Sequence, residues 1–233
     1  MMTTQSTEVP GGEKALPRKI LVVDDHPLVR AGLLQMINKE PGLAVVAEAG
    51  GPREAMVEIT KLRPDLIVVD ITMKDGGGLE FIKDVRALHG DIPMLVVSMH
   101  DEMVYAERVL RAGASGYVMK EEGATHLITA IHRVLDGGVY LSEAMSGRLL
   151  RSVANPKSRN TGSPLQTLTD RELEVFQLIG QGHTTDEIAK RLSLSPKTVD
   201  VHRAHIKEKL QIKSGTALIH QAVQWFQGQS SGE

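Results

Sequence analysis

The positions of apolar and polar residues divide the chain into two parts with different patterns. From about residue 19 to residue 138, short apolar runs rich in β-branched residues alternate with longer stretches that carry apolar residues every three or four positions. The short runs predict strands, and the longer stretches predict amphipathic helices. Because the strands are apolar throughout, we expect a parallel sheet with helices on both faces. The first part is therefore predicted to be a doubly wound α/β domain.

Five strands and five helices make up this predicted domain. The strands span residues 19–25, 43–49, 65–70, 94–99 and 116–120, and the helices span residues 27–40, 53–62, 79–88, 102–113 and 124–138. Residues 1–17 precede the first strand without a comparable apolar pattern, so we expect them to form a flexible N-terminal tail.

The second part of the chain has the pattern of helices alone. Residues 141–152 predict a connecting helix, and the Ser-, Asn-, Pro- and Gly-rich stretch 152–167 is typical of a linker. Four more helices follow, and two of them begin with a Thr-x-x-Glu capping box, at Thr169 and Thr184. The predicted domains are thus 18–138 and an all-α domain at 167–228, with a connecting helix and linker at 139–166.

The composition narrows the choice of function classes. The chain has 233 residues, enough for two domains, and no cysteine, which excludes disulfides, thiol catalysis and Cys-ligated zinc. No stretch approaches the roughly 18 uninterrupted apolar residues of a membrane helix, and the N-terminus lacks the apolar core of a signal peptide. We therefore expect a cytoplasmic protein without a membrane partner.

The net charge of −2 conceals an asymmetry between the two parts. Residues 18–137 hold 14 Lys and Arg against 18 Asp and Glu, whereas residues 195–213 hold five basic residues against two acidic ones. A short basic segment behind an acidic domain is a weak indication of nucleic-acid binding.

The predicted strands end in polar residues at the sheet edge where ligands bind in open parallel sheets. The first strand ends in Asp24 and Asp25, the third in Asp70, the fourth near Ser98 and the fifth in Lys120. Three carboxylates repel one another unless a cation lies among them, and an all-oxygen set suits Mg²⁺. The ammonium and hydroxyl groups would stabilise a phosphoryl group, and one Asp could form an acyl phosphate. Each residue alone is more typical of a helix cap, a turn or a solvated surface, but the complete set favours a functional site.

Two other classes of α/β protein fit this pattern less well. A nucleotide-binding domain would have G-x-G-x-x-G after the first strand or a G-x-x-x-x-G-K-[ST] loop, and the chain has neither. A phosphatase with an aspartyl-phosphate intermediate would carry D-x-D on its first strand. It would also need a substrate cap, for which the chain has no insertion.

Four segments, LVVDDHPLVRAGL, LIVVDITM, MLVVSMHDE and AGASGYVMK, resemble the receiver domain of two-component response regulators over residues 18–138. The resemblance implies a flavodoxin-like sheet of strand order 2-1-3-4-5. It also implies that Asp70 accepts a phosphoryl group from a sensor histidine kinase. The implied ligands of Mg²⁺ are Asp24, Asp25, Asp70 and the main-chain carbonyl of Thr72.

Three further residues have roles that the resemblance implies. Lys120 would pair with the phosphoryl group, Ser98 would move to hydrogen-bond it, and Tyr117 would change rotamer with Ser98. One departure from the family is Lys74, where receivers commonly have proline. Proline would stiffen the loop, so we expect residues 74–78, with their three glycines, to form a looser one.

The second part resembles the LuxR-type helix-turn-helix of the NarL/FixJ response regulators in the segment LTDRELEVFQLIGQGHTTDEIAKRLSLSPKTVDVHRAHIKEKL. The resemblance implies a recognition helix at 196–209, which would lie in the major groove, and a last helix, 214–226, that makes the dimer contact on DNA. From the pattern alone, a small helical interaction module is the alternative. The candidate DNA-contacting residues are Lys197, Thr198, Asp200, Val201, Arg203, Ala204, Lys207 and Lys209.

Asp200 occupies a position where the family often has Lys. A carboxylate that faces the groove repels phosphates but can accept a hydrogen bond from cytosine N4. Asp200 therefore either reads a cytosine or pairs with Arg203, three residues later on the helix, and both interpretations remain open.

Together the two resemblances predict a DNA-binding transcription regulator that is switched by Mg²⁺-dependent phosphorylation of Asp70. We expect no enzyme with a separate substrate, since the receiver would catalyse only its own phosphoryl transfer and dephosphorylation. The implied partners are a sensor kinase, double-stranded DNA with an inverted repeat, a second copy of the chain and RNA polymerase. The alternative is a phosphorylation-independent regulator whose receiver serves only for dimerisation or protein contact.

Overall fold

A computed structural model describes residues 16–73, 77–90, 92–154 and 163–230 of the chain. Most of the predicted tail, residues 1–15, and most of the predicted linker, residues 155–162, lie outside the described residues. The strands are Arg18–Val23 (β1), Leu43–Ala49 (β2), Leu66–Val69 (β3), Met94–Ser98 (β4) and Gly116–Met119 (β5). The helices are Pro27–Asn38 (α1), Pro52–Leu62 (α2), Gly78–His89 (α3), Glu102–Ala112 (α4), Gly123–Leu135 (α5), Glu143–Ala154 (α6), Asp170–Gly180 (α7), Thr185–Arg191 (α8), Pro196–Lys209 (α9) and Gly215–Ser230 (α10).

The five strands form one parallel sheet of order β2-β1-β3-β4-β5. This confirms the predicted doubly wound α/β fold and its flavodoxin-like strand order. Every residue of β3 and β4 is buried, as expected for strands that are covered on both faces. Strand β2 lies at the edge of the sheet, and only its terminal residues, Leu43 and Ala49, are buried.

Alternate residues of the strands pack on opposite faces of the sheet. In β1, Ile20 and Val22 belong to the apolar core under α1 and α5, whereas Leu21 and Val23 belong to the core under α2, α3 and α4. With both faces filled by apolar side chains, the polar groups that end the strands are left at the carboxyl edge of the sheet.

The C-terminal domain consists of α7 to α10, and α7 packs against both α9 and α10. The structure confirms the capping boxes at Thr169 and Thr184, in which the Thr hydroxyl and a Glu carboxylate satisfy the free backbone N–H groups. It also confirms Ser195 as the N-cap of α9, with Pro196 in the first turn. None of the helices in the described ranges is both long enough and apolar enough to span a bilayer.

The C-terminal domain is docked on the α3 and α4 side of the first domain. Arg108 of α4 donates to the carboxylate of Asp170 at 3.0 Å and to the main-chain carbonyls of Leu165 and Leu168 at 3.0 and 2.8 Å. Lys83 of α3 reaches the second oxygen of Asp170 at 3.0 Å. These contacts hold the start of α7 against the sheet domain.

Candidate functional site: the carboxyl edge of the sheet and the outer face of helix α9

An acidic pair and a lysine meet at the carboxyl edge of the sheet. Asp24 follows β1, Asp70 follows β3 and Lys120 follows β5, so the sheet brings together residues that are far apart in the sequence. Lys120 Nζ lies 2.8 Å from Asp24 Oδ2 and 2.6 Å from Asp70 Oδ2. The side chains of Asp24, Asp70 and Lys120 are 0%, 3% and 9% exposed. The lysine therefore compensates the charge of two buried carboxylates.

Each carboxylate is also held by the main chain. Asp70 Oδ1 accepts from the N–H of Thr72 at 2.9 Å, and Asp24 Oδ1 accepts from the N–H of His26 at 2.7 Å. Both bonds join residues two positions apart, which is the short Asx-type turn that Asp favours after a strand. The turns fix the side-chain orientations, so that the second oxygen of each carboxylate faces Lys120.

Burial and the ion pair have opposite effects on the pKa values in this cluster. Burial raises the pKa of Asp70 above its ordinary value, although Lys120 and the N–H of Thr72 oppose the shift. Burial alone would lower the pKa of Lys120, but its interactions with Asp70 and Asp24 outweigh burial and raise it. We conclude that Lys120 stays protonated, and that a further cation near Asp70 would favour the ionised carboxylate.

The donor set at this edge fits a hard divalent cation. One ligand atom from each of Asp24, Asp25, His26 and Asp70 lies within 4.8 Å of the others. The three carboxylate oxygens are the ligands that Mg²⁺ prefers. His26 Nδ1 lies 2.8 Å from Asp25 Oδ1, so the imidazole is placed to orient that carboxylate from outside the oxygen set.

Ser98 and Tyr117 lie next to the cluster and contact the same residue, His100. Ser98 ends β4 and is fully buried, and its hydroxyl accepts from the N–H of His100 at 3.3 Å. Tyr117 is 1% exposed, and its hydroxyl donates to the carbonyl of His100 at 2.7 Å. Burial raises the pKa of Tyr117 well above its ordinary value, so this phenol remains a hydrogen-bond donor.

The glycines before α3 are explained by steric requirements. Gly77 has φ +81°, a left-handed conformation that residues with a side chain rarely adopt. At Gly78 a Cβ atom would collide with the backbone of Ile71, so the loop can close only on a glycine. A looser loop was expected at residues 74–78. At its last two positions, Gly77 and Gly78, the glycines are explained by backbone geometry rather than by looseness of the loop. Residues 74–76, with Lys74, lie outside the described residues.

A cavity separates the acidic cluster from the C-terminal domain. It has a volume of about 250 Å³, and its walls include Asp25 and Thr72 on one side and Gln177 and Arg191 on the other. Helices α7 and α8 therefore lie opposite the carboxyl edge of the sheet. The sequence does not predict this arrangement, because its patterns say nothing about the relative position of the two domains.

The outer face of α9 carries the candidate DNA contacts. Lys197, Asp200, Val201 and Ala204 are exposed, and Val201 is 46% exposed despite being apolar. Within the part of the chain that the structure describes, Asp200 forms no ion pair, because Arg203 donates instead to Thr185 at 3.4 Å. The alternative in which Asp200 pairs with Arg203 is therefore not seen.

Two other candidates on α9 have partners inside the C-terminal domain. The N–H of Thr198 donates to Ser195 Oγ at 3.1 Å as part of the N-cap, and the Thr198 hydroxyl is hydrogen-bonded to the same Oγ at 2.7 Å. Lys209 Nζ lies 2.6 Å from the nearly buried carboxylate of Glu172 in α7. Both residues stabilise the helix position, which limits what they can offer to DNA.

Comparison with known proteins agrees with this geometry. Residues 20–132 match the family described as "Response regulator receiver domain", and residues 166–222 match "Bacterial regulatory proteins, luxR family". Over 205 residues the chain is 36% identical to "Response regulator GacA" of Pseudomonas syringae pv. syringae, with 88% of this chain and 95% of that protein covered. The chain is a response regulator of the NarL/FixJ family.

Two further proteins are similar to this response regulator, one in sequence and one in fold. It is 37% identical over 201 residues to "Transcriptional regulatory protein UhpA" of Salmonella typhimurium, with 86% of this chain and 95% of that protein covered. The fold is similar to that of RcsB from Salmonella enterica serovar Typhimurium, solved on the promoter rprA with the phosphomimetic BeF3−. For that structure the TM-score is 0.67 at 24% identity, with 89% and 98% of the two chains covered.

Some residues around the site of this response regulator were missed by the sequence interpretation. His26 directly follows the acidic pair, and that position was a usable signal. Gln177 and Trp225 reach His100 from α7 and α10, but nothing in their sequence context indicates such a contact. Contacts between residues so far apart in the sequence leave no periodic pattern from which they could be predicted.

Proposed function

We propose that this response regulator binds double-stranded DNA, and that Mg²⁺-dependent phosphorylation of Asp70 by a sensor histidine kinase controls the binding. The observation that carries this proposal is the position of Lys120, whose ammonium group bridges Asp24 and Asp70 at 2.8 and 2.6 Å. A cation already lies against the carboxylate that would accept the phosphoryl group. A purely structural ion pair would not require Asp25 and His26 in the same cluster.

The chemistry assigned to the site is transfer of a phosphoryl group to a carboxylate oxygen. An oxygen of Asp70 attacks the phosphorus of a phosphohistidine, the P–N bond breaks, and the imidazole leaves with the electron pair. Lys120 neutralises negative charge on the transferred group, and the hydroxyl of Ser98 donates to one of its oxygens. The same groups would assist hydrolysis of the acyl phosphate, which is the only other reaction that we assign to the protein.

Asp24, Asp25, Asp70 and the main-chain carbonyl of Thr72 would hold the Mg²⁺ ion. When bound, Mg²⁺ would neutralise charge on the phosphoryl oxygens and orient them for in-line transfer. The side chains of the cluster contribute orientation before any ligand binds, since the turns at Asp24 and Asp70 already fix both carboxylates.

The DNA contacts are assigned to α9. RcsB, to which this chain is similar in fold, has been solved on promoter DNA, and its fold supports a helix-turn-helix role for α8 and α9. Four exposed residues, Lys197, Asp200, Val201 and Ala204, would face the major groove directly. Lys207 and Arg203 flank this face and would contact phosphates. Thr198 and Lys209 would contribute less, because their side chains make closer intramolecular bonds, to Ser195 at 2.7 Å and to Glu172 at 2.6 Å. We assign cytosine recognition to Asp200, because no neighbouring cation occupies its carboxylate in the described residues.

The assembly follows from the proposed partners. Two copies would bind an inverted repeat, with α10 forming the contact between the two DNA-binding domains. A regulator bound to a promoter would also meet RNA polymerase, and a kinase and chromosomal DNA are both reached from the bacterial cytoplasm. We propose domain limits of 18–138 for the receiver, 139–166 for the connecting helix and linker, and 167–228 for the DNA-binding domain.

The proposal is tested by titrating the full chain with beryllofluoride in the presence and absence of Mg²⁺. We expect a spectral change that requires Mg²⁺, together with tighter binding to DNA duplexes selected from a random library by the treated protein. Asp70→Asn is the control that should lose both responses. DNA binding that is equally tight with and without beryllofluoride would instead support the phosphorylation-independent regulator.

A further inference from the structure

The main chain of His100 is held by both residues that are expected to move on phosphorylation. His100 lies two residues after Ser98, between β4 and α4, and is 5% exposed. Its N–H donates to Ser98 Oγ at 3.3 Å, and its carbonyl accepts from the Tyr117 hydroxyl at 2.7 Å. A movement of either Ser98 or Tyr117 therefore acts directly on the backbone of His100.

The ring of His100 contacts the DNA-binding domain. Its Nε2 atom is hydrogen-bonded to the side-chain amide nitrogen of Gln177 on α7, and since an amide nitrogen only donates, the imidazole nitrogen is the acceptor. Gln177 Oε1 in turn accepts from the hydroxyl of Tyr105 on α4 at 3.1 Å. The ring is also stacked with Tyr105, at a centroid distance of 5.1 Å, and with Trp225 of α10, at 6.4 Å.

We propose that His100 transmits the state of the phosphorylation site to the DNA-binding domain, by holding Gln177 and Trp225 on the receiver until Ser98 and Tyr117 move. The inference rests on the proposed function, since it needs phosphorylation at Asp70. The bond from His100 to Ser98 is already long at 3.3 Å. A displacement of Ser98 by roughly 0.5 Å towards Asp70 would take it beyond the normal hydrogen-bond range.

Hydrogen bonds to Ser98 and Tyr117 distinguish this connection from the other contacts between the domains. In the ion pairs of Asp170 with Lys83 and Arg108, the side chains of Asp170, Lys83 and Arg108 are 34%, 42% and 11% exposed. These pairs contribute to docking but share no hydrogen bond with Ser98 or Tyr117. Gln177 and Tyr105 are 9% and 4% exposed, so loss of their hydrogen bonds leaves buried polar groups without partners.

Two conservative variants test the connection, and each has a matched control. Gln177→Met keeps an unbranched side chain of similar length and removes the amide, and Tyr105→Phe removes only the hydroxyl. The controls are Gln35→Met, at an exposed position on α1, and Tyr140→Phe, outside the contact. Trp225 is the only tryptophan of the chain, so its fluorescence emission reports whether α10 lies on the receiver.

The experiment measures Trp225 emission and affinity for the selected DNA duplex, each with and without Mg²⁺ and beryllofluoride. For the untreated protein we expect both test variants to shift the emission to longer wavelength. Their affinity for the duplex should rise about three- to tenfold, the factor that corresponds to one neutral hydrogen bond. The increase caused by beryllofluoride should shrink by the same factor, and both controls should behave like the wild type.

Fluorine NMR of beryllofluoride bound at Asp70 separates this inference from the proposed function. If the wild type shows no bound signal, the proposed function fails, and the untreated variants still decide whether the contact holds the domains together. If the signal is present and both test variants respond like the wild type, the role of His100 is overturned. Thermal unfolding of each variant identifies any that do not fold, and Tyr105→Phe, the smaller change, then carries the test alone.

Discussion

The carboxyl edge of the sheet and the outer face of α9 differ in how much of their chemistry lies within the chain. At the edge, Asp24, Asp70 and Lys120 bind one another, so their orientations and charges are set before any ligand arrives. On α9, Lys197 and Asp200 are exposed, and neither forms an ion pair or a side-chain hydrogen bond among the residues that the structure describes. The role of a buried polar site can therefore be inferred from the contacts among its own residues. The role of an exposed DNA-binding surface becomes visible only in contact with its ligand.

Removal of the acceptor gives the largest expected effect on the sheet edge. Asp70→Ala should reduce labelling by acetyl phosphate to background, because it removes the carboxylate that is proposed to accept the phosphoryl group and that lies 2.6 Å from Lys120 Nζ. Beryllofluoride should then no longer tighten DNA binding. The measurement is incorporation of labelled phosphate into the full chain. Asp84→Ala, an exposed acid on α3, is the control and should label normally.

If Asp70→Ala bound DNA as tightly as the phosphorylated wild type, control of DNA binding by phosphorylation would be ruled out, although the fold would stand. The contacts within the sheet edge would then say as little about its role as those on the outer face of α9.

Replacement of Lys120 tests whether the charges at the sheet edge are compensated before any ligand binds. Lys120→Gln leaves two buried carboxylates without a cation, and we expect it to lower the free energy of unfolding by about 3 kcal/mol. Mg²⁺ should restore part of the loss, since it would replace the missing positive charge. Urea unfolding with and without Mg²⁺ measures both effects, with the exposed Lys39→Gln as control. Equal stability of both variants would show that Lys120 compensates no charge in the folded protein.

Reversal of the charge at Asp200 tests the surface of α9. If Asp200 reads cytosine, Asp200→Lys should change the preferred base at one position by about 1–3 kcal/mol. The added cation should also strengthen binding to unrelated DNA and steepen its salt dependence by about one phosphate contact. Glu208→Lys makes the same charge change near the end of α9 and should affect only the second property. An unchanged preferred sequence in binding selections would rule out base reading by Asp200.

The partly exposed pairs of Asp170 should give the smallest effect. Burial alone would raise the pKa of Asp170, but hydrogen bonds from Lys83 and Arg108 outweigh it and lower the pKa below the ordinary value of 3.8. Because its pKa is lowered, the Asp170 carboxylate contributes its full support to docking at pH values above its ordinary pKa. That support is lost as the pH falls through the lowered value.

Asp170→Asn should therefore weaken docking by less than about fivefold, and less still at high salt. Small-angle scattering and Trp225 emission at low and high salt check this, with the exposed Asp136→Asn as control. A large effect that persists at high salt would mean that this pair, rather than the buried contact at His100, dominates docking.

The sequence predicted the fold and the acidic edge because both leave local signals. Five apolar runs define the parallel sheet, and the position of Asp70 directly after such a run places it at the carboxyl edge. Gly77 and Gly78 were visible as glycines, but only the backbone of Ile71 explains Gly78. Gln177 resembles any polar residue on a helix, since its partner lies 77 positions away and follows no helical or strand period.

The cavity between the acidic cluster and α7 has walls from two domains, so its 250 Å³ exist only while the domains are docked. A space of this size would admit a small phosphodonor such as acetyl phosphate but not another folded protein. Under the proposed function, phosphorylation by a kinase would therefore require the domains to part, whereas phosphorylation by the small molecule would not. The ratio of the two rates would then report how often the domains separate.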